Sequence, residues 1–151
     1  MDRRKFLSFA GSLIALGILP VNLRAEDYRK LKPAVWEAHN IDDATKALYG
    51  MKEVIQTDQI QITVPKINSS GAAVPVKFET TIDAKTIALF QDANPESAVA
   101  IFEVTPYDVK KYASKIKMAK NGTVMVLVEG KDGKIYMSKV TTQVAAGGCE
   151  G

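Results

Sequence analysis

Thr123-Val124-Met125-Val126-Leu127-Val128, the turn Lys131-Asp132-Gly133-Lys134, and the run from Ile135 through Met137 form the stretch that decides the fold. The first run is almost wholly apolar and two-thirds β-branched, a composition that fits a central strand. The turn has the Asp-Gly pair that reverses a chain between antiparallel strands. Ile135, Met137 and Val140 then continue as a return strand toward the end of the chain.

Working outward, period two dominates upstream. Ile60, Ile62 and Val64 alternate with Gln59, Gln61 and Thr63; Pro65 ends the run, and Asn68-Ser69-Ser70-Gly71 reads as a turn. Val74, Val76, Phe78 and Thr80 face one way, with Lys77 and Glu79 opposite. Thr86 to Phe90 is a third short strand, Asp92 to Glu96 a loop, and Ala98 to Thr105 a strand around Val99, Ile101 and Phe102. Residues 106–113 read as a loop or one helical turn. Ser114 to Lys120 alternates again, with Ile116 and Met118 inward and Lys115, Lys117 and Lys120 outward. In front of the strands the period changes. Val35, Ile41, Ala44, Ala47 and Leu48 make a helical stripe over residues 34–49, with a start at Asn40, Asp42 and Asp43 behind it, and a stop at Gly50. Trp36 and His39 are read as packing against the sheet rather than as ligands. Residues 26–33, charged and holding Pro33, are a leader to that helix. Seven or so short strands behind one helix predict a mainly β chain: an immunoglobulin-like β-sandwich with one N-terminal helix and a flexible C-terminal Gly-Gly-Cys arm.

That arm, residues 145–151, is Ala145-Ala146-Gly147-Gly148-Cys149-Glu150-Gly151 and carries the only cysteine. Gly147, Gly148 and Gly151 have no Cβ, so the tail is slim and free to enter a narrow cleft. A lone thiol cannot close an intrachain disulfide; in an exported protein it is an intermolecular pairing site or a reactive group. As a nucleophile Cys149 lacks a nearby base, and the one imidazole, His39, is remote in sequence. One ligand is not a metal site. Prenylation needs the cysteine fourth from the end, whereas Cys149 is third. A group carried on sulfur, loaded and unloaded through the thiolate, remains. So does a structural β-sandwich subunit whose Cys149 forms a permanent interchain disulfide, or a small-molecule-binding sandwich with an incidental tail.

The other end reads as an address. Arg3 and Arg4, followed by Lys5, Phe6 and Leu7, form a twin-arginine export motif. The apolar run from Phe9 to Leu19 is shorter than the roughly 20 residues a stable membrane anchor needs. Pro20 breaks it, and Ala25 is the expected last residue before cleavage. The expected domains are a signal peptide, 1–25, a carrier domain, 26–144, and the arm. The whole chain has 20 Lys+Arg and 17 Asp+Glu. Four of the basic and one of the acidic residues lie in 1–25, so the remainder carries no formal net charge and gives no reason to expect nucleic acid. The twin-arginine route exports folded cargo. One Cys and one His cannot assemble a zinc or blue-copper ligand set within the chain, and there is no Cys-x-x-Cys-His haem site or phosphate loop. No cofactor is expected, which leaves a partner that folds on and travels along.

The tail Gly147-Gly148-Cys149-Glu150-Gly151, with the twin-arginine start, resembles the Gly-Gly-Cys-Gly-Gly end of the SoxY family, the sulfur carriers of thiosulfate-oxidising Sox systems. The likeness extends through Leu48-Tyr49-Gly50, Ile62-Thr63-Val64-Pro65, Ala73-Val74-Pro75-Val76, the Asn94-Pro95 loop, and Ser114-Lys115-Ile116-Lys117-Met118-Ala119, where lysine replaces the family's arginine. The resemblance implies a non-catalytic periplasmic carrier that holds thiosulfate-derived sulfur covalently on Cys149. It implies a SoxZ-like subunit, exported with it as a heterodimer or heterotetramer. It also implies a SoxAX-like haem enzyme that loads the thiol and a SoxB-like hydrolase that releases sulfate, with the remaining sulfur either oxidised by a sulfane dehydrogenase or passed on elsewhere. Glu150 stands where the family has glycine. It sets a side chain and a negative charge beside the thiol, which disfavours the thiolate and repels an anionic adduct.

Overall fold

A computed structural model describes residues 26–145 of the 151-residue chain. Three short helices come first: α1 (Tyr28–Leu31), α2 (Pro33–Trp36) and α3 (Ile41–Tyr49). Nine strands follow: β1 (Val54–Gln56), β2 (Ile60–Thr63), β3 (Ile67–Asn68), β4 (Val74–Thr80), β5 (Ala84–Gln91), β6 (Ala98–Glu103), β7 (Lys111–Ile116), β8 (Gly122–Gly130) and β9 (Ile135–Val144). They make two sheets, a larger one ordered β1-β9-β8-β5-β6 with β3 also on β9, and a smaller one ordered β2-β4-β7. The fold is the immunoglobulin-like β-sandwich that the strand pattern predicts, with helices laid on the outer face of the larger sheet.

The burial pattern follows from that layering. Between the sheets, Ile60, Val74, Val76, Phe78, Ile87, Leu89, Val124, Val126 and Val128 form one core. On the other face of the larger sheet, Ala88, Phe90, Leu127 and Ile135 pack with Val35, Ala44, Leu48 and Tyr49 from the helices. Strands β5 and β8 are therefore covered on both sides, so their sequences are apolar without alternation. Strand β4 is covered on one side and alternates strictly, with Val74, Val76, Phe78 and Thr80 buried and Pro75 and Lys77 exposed.

The central hairpin forms as expected. Gly133 N–H donates to the Gly130 carbonyl (2.9 Å), and Gly130 N–H donates to Lys134 (2.9 Å). Gly133 takes φ 82°, the left-handed residue of a type I turn closed by a bulge. Helix α3 starts where its cap predicts. Asn40 Oδ1 accepts from Asp43 N–H (2.8 Å), and Asp43 Oδ2 accepts from Asn40 Nδ2 (2.7 Å). Gly50 ends the helix at φ 77°. The expected leader instead holds α1 and α2, and Pro33 opens α2, where its missing N–H costs nothing.

Four local expectations are corrected. Strands β1 and β3 carry no periodicity because they are three and two residues long; both add parallel to β9. Asn68 is therefore a buried strand residue and not part of a turn. Strand β7 begins at Lys111, inside the segment expected as a loop, and stops at Ile116. Beyond it Met118 N–H turns to the Gly71 carbonyl (2.8 Å) and Ala119 N–H to Asn94 Oδ1 (2.9 Å). His39 is exposed, with Nδ1 3.0 Å from the Pro95 carbonyl, and does not pack on the sheet. Trp36 does join the helix-side core, with the Arg29 guanidinium carbon 4.1 Å from its ring centroid.

Candidate functional site

The expected site residues Cys149, Gly147, Gly148 and Gly151, and the export residues Arg3 and Arg4, lie outside the described residues. The structure describes the place from which the arm departs. Strand β9 runs to Val144, and its last residues are clamped on both sides. Toward β3, Gln143 N–H donates to the Lys66 carbonyl (2.9 Å) and Ala145 N–H to the Asn68 carbonyl (2.8 Å). Toward the β7–β8 loop, Val144 N–H donates to Asn121 Oδ1 (2.8 Å).

A buried polar pair fixes that clamp. Asn68 Nδ2 donates to Thr142 Oγ1 (2.8 Å), and Thr142 Oγ1 donates to the Pro65 carbonyl (2.6 Å). Both side chains are buried, and the hydroxyl is satisfied as donor and as acceptor. Ala145 is thus a tethered residue. Cys149 follows it by four peptide links, so covalent geometry holds the two Cα atoms within about 14 Å of each other.

The loops around this root are held by side chain to backbone bonds. Gln91, almost fully buried, accepts from Ala93 N–H (2.6 Å) and Asn94 N–H (2.8 Å) on Oε1 and donates to the Glu96 carbonyl (2.7 Å). Asn94 then bridges to the β7–β8 loop, accepting from Ala119 N–H and donating to the Lys117 carbonyl (2.8 Å). Asp92 Oδ1 accepts from Thr123 N–H (2.6 Å). Gly71 lies flat against that loop. A Cβ there would sit well inside contact distance of the Met118 carbonyl oxygen, so only glycine fits without moving backbone.

Exposed Lys66, Lys117 and Lys120 lie on these root loops, against exposed Asp92 and Glu96. The balance is mildly cationic, and water screens it. Among the described residues no three His, Cys, Asp or Glu side chains gather as a metal site, and no helix is long and apolar enough to cross a membrane. What the arrangement offers is a rigid attachment point, with the chemistry left to the residues beyond it. The sequence reading missed the clamp. The signal was Asn68 itself, an amide three residues after the proline that ends a strand, but its partner Thr142 is 74 positions away.

Comparisons with known proteins identify the family of the chain. The family model described as "Sulfur oxidation protein SoxY" matches residues 45–149, so the match ends on Cys149. The solved structure of the sulfur carrier protein SoxY from Chlorobium limicola f thiosulfatophilum is similar over 72% of this chain and 95% of that one, at 34% identity and a TM-score of 0.65. A superoxide reductase (neelaredoxin) from Ignicoccus hospitalis overlaps 58% of this chain and 80% of its own at 12% identity and TM-score 0.52, which is a likeness of fold alone. A search of curated proteins gave no match. The chain belongs to the SoxY family of sulfur oxidation proteins.

Proposed function

We propose that the protein is a periplasmic sulfur carrier whose Cys149 holds thiosulfate-derived sulfur and presents it to Sox enzymes. The observation that carries this reading is the family match running through to Cys149, on a chain whose last described residue is tied down at Asn68. A fixed root and a short glycine-bearing tail suit a group that must be delivered to several buried sites in turn.

In the loading step the Cys149 thiol loses its proton, and its sulfur bonds to the sulfane sulfur of thiosulfate. The pair of electrons released passes to a SoxAX-like haem enzyme. In the second step a SoxB-like hydrolase directs water onto the terminal sulfonate, the S–S bond to it breaks, and sulfate leaves with Cys149 as a persulfide. A sulfane dehydrogenase then oxidises the remaining sulfur. The protein itself supplies no catalytic group to these steps. Export folded, through Arg3 and Arg4, together with a SoxZ-like subunit, belongs to the same reading.

Intact mass spectrometry of the native protein with its partner, before and after reduction, tests this. The expected result is a set of reducible sulfur and thiosulfonate additions on Cys149 during growth on reduced sulfur, absent in Cys149→Ser. A single covalent dimer without adducts under all such conditions would replace the carrier with an interchain structural disulfide.

A further inference from the structure

Strand β6 ends the larger sheet, paired with β5 and with no other described strand. Its sequence, Ala-Val-Ala-Ile-Phe-Glu, has no lysine and no proline, the residues that usually blunt an open edge. A bulge near Val99 disturbs the register at its start and leaves Ala100 to Glu103 as a regular edge. Its outward N–H and C=O groups are a template for another strand.

Along this regular half runs a groove of about 370 Å3. Phe102 and Tyr112 floor it, with ring centroids 4.6 Å apart, and Tyr28 of α1 closes the far side. Glu26, Glu103 and Asp108 stand around it, and no lysine or arginine lines it. None of the three takes part in the ion pairs found among the described residues. Asp108 uses one oxygen to cap Thr105 N–H (2.6 Å), which leaves the other for a ligand. Next to the groove, the β6–β7 loop holds Tyr107 and Val109 out in solvent, 94% and 80% exposed.

We propose that this edge docks an extended, basic segment of a partner protein, added as a strand beside residues 100–103, with a lysine or arginine side chain in the groove. Backbone pairing supplies the affinity. The aromatic floor and three carboxylates select a cation. Charge also argues against a second copy of this chain as the added strand, because β6 itself carries no lysine or arginine to place in the groove. The inference uses no property of Cys149 and stands apart from the carrier reading.

The test is amide hydrogen exchange on the full chain, and on Cys149→Ser to keep thiol chemistry out. The probe is a blocked eight-residue peptide alternating lysine and valine, with a glutamate–valine peptide as counter-probe. The expected result is slower exchange at residues 100–103 with the lysine peptide alone. The double variant Glu26→Lys, Glu103→Lys, both exposed and so expected to fold, should need about tenfold or more peptide for the same protection. Equal protection by the glutamate peptide, or none by the lysine peptide, would overturn the proposal. Protection of the outward-facing Ile101 and Glu103 amides without any peptide would also overturn it, assigning the edge to a second copy if it grows with protein concentration and to residues 1–25 if it does not; Ala100 and Phe102, which face β5, are protected in either case.

Discussion

At the scale of single residues, the root of the arm depends on a few side chains whose partners are backbone groups. Asn68→Ala leaves the Thr142 hydroxyl without its donor in a buried site and is expected to cost about 1–3 kcal/mol, read as a shift in urea midpoint. Asn68→Asp should cost more, since a carboxylate would face the Pro65 and Gln143 carbonyls that the amide now serves as donor. Gly71→Ala should destabilise by a further distinct route, forcing the Met118 carbonyl away and loosening the loop beside Val144. A variant as stable as the parent would show that this loop yields freely. Glu150 is a test of charge. At about 7 Å in water, reduced by physiological salt, a carboxylate shifts a neighbouring anion by only about 0.3 kcal/mol. Glu150→Gly is therefore expected to speed loading of Cys149 by less than about twofold at physiological salt, by no more than about threefold at low salt and not at all at high salt. A larger gain that survives salt would make the bulk of the glutamate side chain, rather than its charge, the obstacle.

At the scale of elements, helix α3 and the central hairpin show how local chemistry sets boundaries. The reciprocal bonds between Asn40 and Asp43 satisfy donors at the helix start, and Asp42 and Asp43 oppose the positive end of its dipole. Asn40→Ala is expected to cost about 1 kcal/mol, and Asn40→Gly less, measured by thermal or urea unfolding. An alanine variant of unchanged stability would mean that packing of Leu48 and Tyr49 alone holds the helix. The α3 end has a second support in Lys32, whose ammonium donates to the Leu48 carbonyl. Gly50→Ala places a side chain at φ 77°, ψ −157°, a region open essentially to glycine, and should cost about 1–3 kcal/mol although nothing lies within contact of the added carbon.

At the scale of the whole molecule, the tyrosines set the alkaline limit. Burial holds the Tyr49 hydroxyl far above its ordinary value of 10.0, with only Thr86 Oγ1 (3.0 Å) as partner. Tyr28 and Tyr112 are raised mainly by burial and Tyr136 by its hydrogen bond to Asp132. Each binds its proton more tightly folded than unfolded. Their contribution is therefore complete below about pH 10 and is lost as pH climbs toward the folded values. Urea midpoints should stay level up to about pH 9 and fall above it, with the Tyr49 phenolate forming only as the chain unfolds. Tyr49→Phe should flatten that fall while costing about 1 kcal/mol at neutral pH through the stranded Thr86 hydroxyl. The two-faced burial behind these shifts was legible in advance only as composition: the apolar runs of β5 and β8 show that both faces are covered, but not by what. The sequence alone determined the alternating strands, the Asp132-Gly133 hairpin and the Asn40 cap. Period, turn chemistry and capping act within a few residues, and they leave their mark there. Only the tertiary structure decided that β1 and β3 join β9 in parallel, that Asn68 grips Thr142 across 74 positions, and that β6 has an open edge among the described strands. Those pairings join segments far apart in the chain, and their energy comes from complementarity that appears only once both partners have been brought together.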